Sequence, residues 1–400
     1  MPDRPGPTEF PDAVGLDEGA DAAGEQHDGD EDRRDEGMVV GDRVEREAHP
    51  CHRDHGDDVG DGRVEGLRIV PALFHIVGHE VRFPGAHSGE TAATTKGGEV
   101  GDASVRSRIR AGLLAYAAGD AAGVPWEGCL AAEIDRPGID ELPRRGDWPP
   151  GATSDDTALT LLVAEYLRDR GAVVEEADFL TRLAAAAPHI RGIGPSTRAA
   201  VDRFRTRGAL HAETGDTNGA AMRALPIGWA VADDGLRRTV TTGLSRTTHG
   251  AASAVAAACI ASAMASAAVD GSSLFDAAAT EIDWAETQFG IELRPVRDAV
   301  DGRWRPGRNG VSLEAVGAVA AVVDVVRHAD VGHLSVADAL RYAVSLGGDT
   351  DTAAAIAGGI LGGRVTGTPD IPWLDRVDLP DGATLDGLSA ALAELRASTG

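Results

Sequence analysis

Residues 251–269 read AASAVAAACIASAMASAAV. The stretch holds no charge, no glycine and no proline, and only Ser253, Ser262 and Ser266 interrupt its apolar run. Its length approaches that of a membrane span, but so many alanines and serines suit a helix buried among other helices, and it reads as a core helix. Working outward, apolar residues recur at helical spacing. Ile109, Leu113, Leu114 and Ala117 share one face. The same period runs through 157–168, 178–187, 196–205, 220–232, 274–289, 313–327, 336–344, 352–361 and 385–396. Gly, Pro and Asp fill the gaps, with neither strand–helix alternation nor a fixed repeat. Hydrophobic residues make up 42% of the 400-residue chain and aromatics only 4%, so Ala, Leu and Val must supply the burial. The expectation is an all-α fold, a single compact many-helix domain over 105–400.

The chain carries 64 acidic and 38 basic residues, a net charge of -26. Such a balance argues against nucleic-acid and anionic-membrane partners, which need a basic footprint. Residues 1–104 hold 25 acidic and 10 basic residues with little apolar periodicity, the composition of a disordered acidic tail. Within it only 67–81, LRIVPALFHIVGHEV, could dock as a strand, and His49, Cys51, His52 and His55 lack the second knuckle of a zinc site. Lys96 is the only lysine, a bias of GC-rich genes in which reading frames run upstream of true starts. Translation from near Met38 or Val105 is therefore one expectation for this segment. Cys51, Cys129 and Cys259 are too few and scattered for a disulfide framework, and the N-terminus has no secretory pattern. A cytoplasmic monomer with reduced thiols is expected.

Two acidic motifs precede helices. Ser154-Asp155-Asp156-Thr157 leads into ALTLLVAEYL, and Gly347-Gly348-Asp349-Thr350-Asp351-Thr352 leads into AAAIAGGILGG. Either could be an N-cap, since hydroxyls and acids suit a helix start. One cap needs one acid, however, and GGDTDT crowds two behind a flexible glycine pair. Four carboxylates and two hydroxyls form a hard, all-oxygen donor set suited to Mg²⁺, Mn²⁺ or Ca²⁺, with room for two ions. Sites of that kind position a water for attack on carbon or phosphorus.

These motifs belong to a longer series. Gly112-Leu113-Leu114 through Gly119-Asp120-Ala121-Ala122-Gly123-Val124-Pro125-Trp126-Glu127 is followed by the Ser154 motif. Then come Asn218-Gly219-Ala220-Ala221-Met222-Arg223 with Pro226, the pair Thr248-His249 and the Gly347 motif. In this order they resemble the ADP-ribosylglycohydrolase family, all-α hydrolases that remove ADP-ribose from modified targets. The resemblance covers nearly all of 105–400. It implies two Mg²⁺ or Mn²⁺ held by Ser154, Asp155, Asp156, Asp349, Asp351 and Thr352, with Asp351 bridging and Ser154 standing where the family has Thr. It also implies that Glu127 lies near the distal ribose as a base or gate. Arg191-Gly192-Ile193-Gly194-Pro195-Ser196-Thr197 matches the family's phosphate loop, and Gly192, Ile193, Gly194, Asn218, Met222 and His249 would line the substrate pocket. Asp216 is a second candidate beside Asn218.

The reaction so implied is hydrolysis of the glycosidic bond between ADP-ribose and an acceptor, by a metal-activated water at the anomeric carbon. Glu127 or Asp351 would take the proton. The partner would be an ADP-ribosylated protein or a small ADP-ribose conjugate, arginine-linked by preference. A hydrolase of free nucleotides or other N-glycosides, and a non-enzymatic ADP-ribose binder, are the alternatives. The segment 133–151, with Arg144 and Arg145, is a candidate pocket rim.

Overall fold

In the computed structural model, residues 96–400 are described, and most of them fall in helices. The expectations placed on the acidic segment before residue 96, its 67–81 patch and its His/Cys cluster lie outside them. The thirteen α-helices are α1 Lys96–Gly123, α2 Asp155–Arg170, α3 Glu176–Ala186, α4 Pro195–Arg207, α5 Leu225–Ala230, α6 Asp234–Arg246, α7 Ala252–Asp270, α8 Leu274–Phe289, α9 Arg294–Val300, α10 Ala315–Gly332, α11 Val336–Ser345, α12 Thr350–Gly362 and α13 Gly382–Thr399. Among the described residues there is no strand beyond isolated bridges, as an all-α fold requires. The first helix starts at Lys96, upstream of the domain start expected at Val105.

Helix starts follow side-chain chemistry. Ser154, Asp233, Ser273, Ser335 and Asp381 each accept a backbone N–H from the first turn of the helix they open. The expected helix over 220–232 is shorter. A 3-10 turn, Asn218–Ala220, precedes α5, and Pro226 stands in the first turn of that helix. A proline has no N–H to give to a preceding turn and restricts the residue before it, so the helix cannot run through from residue 220. Helices α6 and α9 complete the set without having been foreseen.

Helix α7 is buried from Ala254 to Val269 and is flanked by α5, α6, α8 and α10. It is the one described helix long and apolar enough to cross a membrane, yet 89% of that window is buried inside the protein. It is thus the core helix that its alanines and serines suggest.

The pair that positions the site is α1 with α12. A Cβ added at Gly119 would run into the carbonyl of Ala354, one at Gly123 into the backbone of Asp351, and one at Gly358 into the carbonyl of Ala115. Glycine is required at these positions for close approach of two helix backbones, not for backbone freedom. The contacts run in opposite order along the two helices, so the pair is antiparallel. The C-terminal end of α1 therefore meets the first turn of α12, and the Thr350 hydroxyl donates to the Gly123 carbonyl at 2.9 Å.

Candidate metal centre and active site

Gly347 and Gly348 deliver the second acidic motif. Both lie at positive φ, 75° and 76°, a region open to glycine but costly for other residues. Neighbouring chain holds them on two sides. Gly348 N donates to Cys129 O at 2.8 Å and Gly128 N to Gly348 O at 2.8 Å, while Val311 N donates to Gly347 O at 2.8 Å. Asp349 N then donates to Val311 O at 3.1 Å. The pair expected to be flexible is instead a clamped turn, and it fixes where Asp349 and Asp351 emerge.

The first acidic motif is held by a residue of the opening motif to which the sequence assigned no role. Asp120, near the end of α1, accepts from Ser154 N at 3.1 Å, from Thr157 N at 3.0 Å and from the Thr157 hydroxyl at 2.5 Å. Its carboxylate thus binds the first turn of α2 to α1. Ser154 itself caps α2, its hydroxyl accepting Asp156 N at 3.1 Å.

Two groups of carboxylates result, each with ligand oxygens within 4.8 Å of one another: Asp120, Asp156 and Asp351, and Glu127, Asp349 and Asp351. Asp351 belongs to both. Asp120, Asp156, Asp349 and Asp351 are at most 5% exposed, so water cannot screen their mutual repulsion. Burial pushes the carboxyls of Asp120 and Asp349 up to about 6, and Asp156 and Asp351 well above the usual range, and for Asp156, Asp349 and Asp351 neighbouring acids add to the rise. Asp156 Oδ2 and Asp351 Oδ1 are buried without a hydrogen-bond partner. An unpaired buried oxygen in a set of hard oxygen donors fits a divalent cation, which would satisfy it and cancel the repulsion.

Residues 101–400 match the profile of the ADP-ribosylglycohydrolase family. The chain belongs to that family. It is 29% identical over 307 residues to an uncharacterized protein of Archaeoglobus fulgidus, covering 73% of this chain and 97% of the relative. It is also similar to a solved structure described as an ADP-ribosylglycohydrolase-related protein complex, with 26% identity and a TM-score of 0.60, covering 73% of this chain and 98% of that one.

Within this ADP-ribosylglycohydrolase domain, the expected site residues take distinct places. Thr352, in the first turn of α12, is buried beside the carboxylates, and the Asn218 amide donates to Asp349. Asp155 belongs to neither carboxylate group. It turns to the phosphate-loop segment, accepts Gly194 N at 3.2 Å, and burial raises its carboxyl to about 7. Gly192 sits at φ 74° beside Trp148, Ile193 is buried, and Gly194 caps α4.

Met222 and His249 are buried. The Met222 carbonyl accepts the Tyr116 and Thr160 hydroxyls, at 2.7 and 3.1 Å. His249 is buried between the hydroxyls of Thr248, at 2.7 Å, and Thr217, at 3.1 Å. Burial drives its pKa down to about 3, so the ring is neutral at pH 7. A Cβ at Gly219 would stand 2.6 Å from the His249 ring, which explains the glycine after Asn218. Asp216 is exposed, and its carbonyl accepts Ala315 N at 2.9 Å. Among the rim residues, Arg144 is exposed, whereas Arg145 forms an ion pair with Glu127. Asp120 and Trp148 are the neighbours of the site to which the sequence assigned no role, and Arg145 is the expected rim residue found beside it. An acid inside the run AAGDAAG was the available signal for Asp120.

Proposed function

We propose that the protein is a divalent-metal-dependent hydrolase that cleaves the glycosidic bond between ADP-ribose and an acceptor, with arginine-linked ADP-ribose as the favoured conjugate. The observation that carries this reading is the pair of carboxylate groups sharing Asp351, with two buried oxygens left unpaired in a domain of this family. Asp156, Asp349 and Asp351, with Asp120 and Glu127 beside them and the Ser154 and Thr352 hydroxyls adjacent, would hold two Mg²⁺ or Mn²⁺. When bound, such ions supply positive charge that acidifies a nearby water and draws in ribose hydroxyls.

The remaining chemistry belongs to the side chains. Asp120 keeps the first turn of α2 in register with α1. Asn218 orients Asp349. Asp155 ties the acidic centre to the start of α4, whose first-turn N–H groups suit the diphosphate. Glu127 is half-buried at the edge of the group, where it can take a proton from the attacking water as the bond from the anomeric carbon to the acceptor breaks.

The test is ADP-ribose release from arginine-linked, serine-linked and acetyl-linked substrates, with and without EDTA. Release from the arginine-linked substrate that EDTA abolishes is expected. Absence of release from all three would contradict the hydrolase reading, and release unaffected by EDTA would contradict the metal.

A further inference from the structure

Arg145 is an odd neighbour for this site. Among the described residues it is the one basic side chain ion-paired with a carboxylate of either acidic group. Its Nη1 donates to Glu127 Oε2, and its guanidinium carbon lies 5.7 Å from the centre of the Trp148 ring. Both partners of the ion pair are about one-third exposed, at 35% and 34% of the side chain. A pair that open to water is weak and exchangeable.

The local backbone presents Arg145 on a tight turn. Trp148 N donates to Arg145 O at 2.9 Å, and Gly146 takes φ 54° to close it. Trp148 also lies against the phosphate-loop segment, since a Cβ at Gly192 would stand 2.9 Å from its ring. A carboxylate and an aromatic face, set between the acidic centre and the start of α4, make the two-part environment that recognises a guanidinium.

We infer that Glu127 and Trp148 form a guanidinium subsite, which Arg145 fills in the free protein and yields to the acceptor's own guanidinium when arginine-linked ADP-ribose binds. The inference rests on the arginine-linked reading above and adds the residues that would select that linkage. Arg145 is then a specificity-determining residue. It keeps the subsite closed to water-borne cations, and only a guanidinium carried in on ADP-ribose competes well with it.

The test uses the full chain and the probe methylguanidinium, with N-methylurea as its uncharged counterpart, measured by calorimetry on the wild type, Arg145→Ala and Arg145→Ala with Trp148→Ala. Arg145 is on a turn and partly exposed, so its loss leaves the helical core untouched. Methylguanidinium should bind Arg145→Ala at least about tenfold more tightly than the wild type. The second substitution should reverse that gain, and N-methylurea should show none. Equal affinity in wild type and Arg145→Ala, or equal binding of N-methylurea, would overturn the subsite. Release from the arginine-linked substrate by the wild type separates the two readings. A gain in methylguanidinium binding without any release would keep the subsite and overturn its assignment to an acceptor, whereas release without that gain would overturn the subsite and leave the hydrolase standing.

Discussion

Asp120 shows what one buried side chain can organise. Its oxygens receive two backbone N–H groups and one hydroxyl from the start of α2, none of which has water to turn to. Asp120→Ala would leave those donors unsatisfied, and a loss of about 1–3 kcal/mol is expected for such a group. Urea unfolding is the check, with Asp120→Asn retaining part of the loss because the amide keeps one acceptor oxygen. A wild-type midpoint for Asp120→Ala would show that the α1–α2 clamp is not made. At this scale the sequence was legible wherever several oxygens crowd a helix start, as at Ser154–Thr157 and Asp349–Thr352. It was silent where chemistry depends on a fold-made neighbour. A lone acid in AAGDAAG has no visible partner, and the Glu127–Arg145 pair joins residues 18 apart across a loop that no periodicity fixes.

At the scale of elements, the close antiparallel pairing of α1 and α12 brings the two ends of the site together. Gly119 is the tightest point to test, because a methyl there meets the Ala354 carbonyl. Gly119→Ala should destabilise by about 1–3 kcal/mol, as an overpacked core does, despite the better helix propensity of alanine. Thermal unfolding checks the sign, and an unchanged or higher melting temperature would mean that the helices are not in backbone contact. The long apolar helices were legible because burial on one face imposes a period. Helix α6 escaped because its buried face is partly polar: Arg237, Thr241 and Ser245 lie beside Val240 and Leu244. Helix α9 has only seven residues, too short for its buried Val296 and Ala299 to establish a repeat. The helix over 220–232 was over-read because apolar residues at 220–222 are buried by a turn as effectively as by a helix.

For the molecule as a whole, the fold concentrates acids in a chain that already carries a net charge of -26. The starts of α2, α4 and α12 converge with the end of α1, and their partial positive charge offsets only part of the repulsion. The fold class and the two acidic motifs were legible because each is written in short, local patterns. The contacts that Asp120, Asn218 and Arg145 make were not, because they depend on tertiary packing. The buried carboxylates make the pH dependence a direct reading of the centre. Their pKa values are raised in the folded state, so the folded protein binds more protons than the unfolded chain. The corresponding stability is fully present below the ordinary carboxylate value and is lost as pH rises through about 6 for Asp120 and Asp349 and about 7 for Asp155. A cation that binds only the folded state reverses that loss. The decisive measurement is the melting temperature of EDTA-treated, dialysed protein between about pH 5 and pH 8, with and without Mn²⁺. Without the ion it should fall as pH rises, and with it the fall should vanish, so that the Mn²⁺ effect is largest at the highest pH. Superimposable curves with and without Mn²⁺ would contradict a divalent-metal centre at Asp120, Asp156, Asp349 and Asp351.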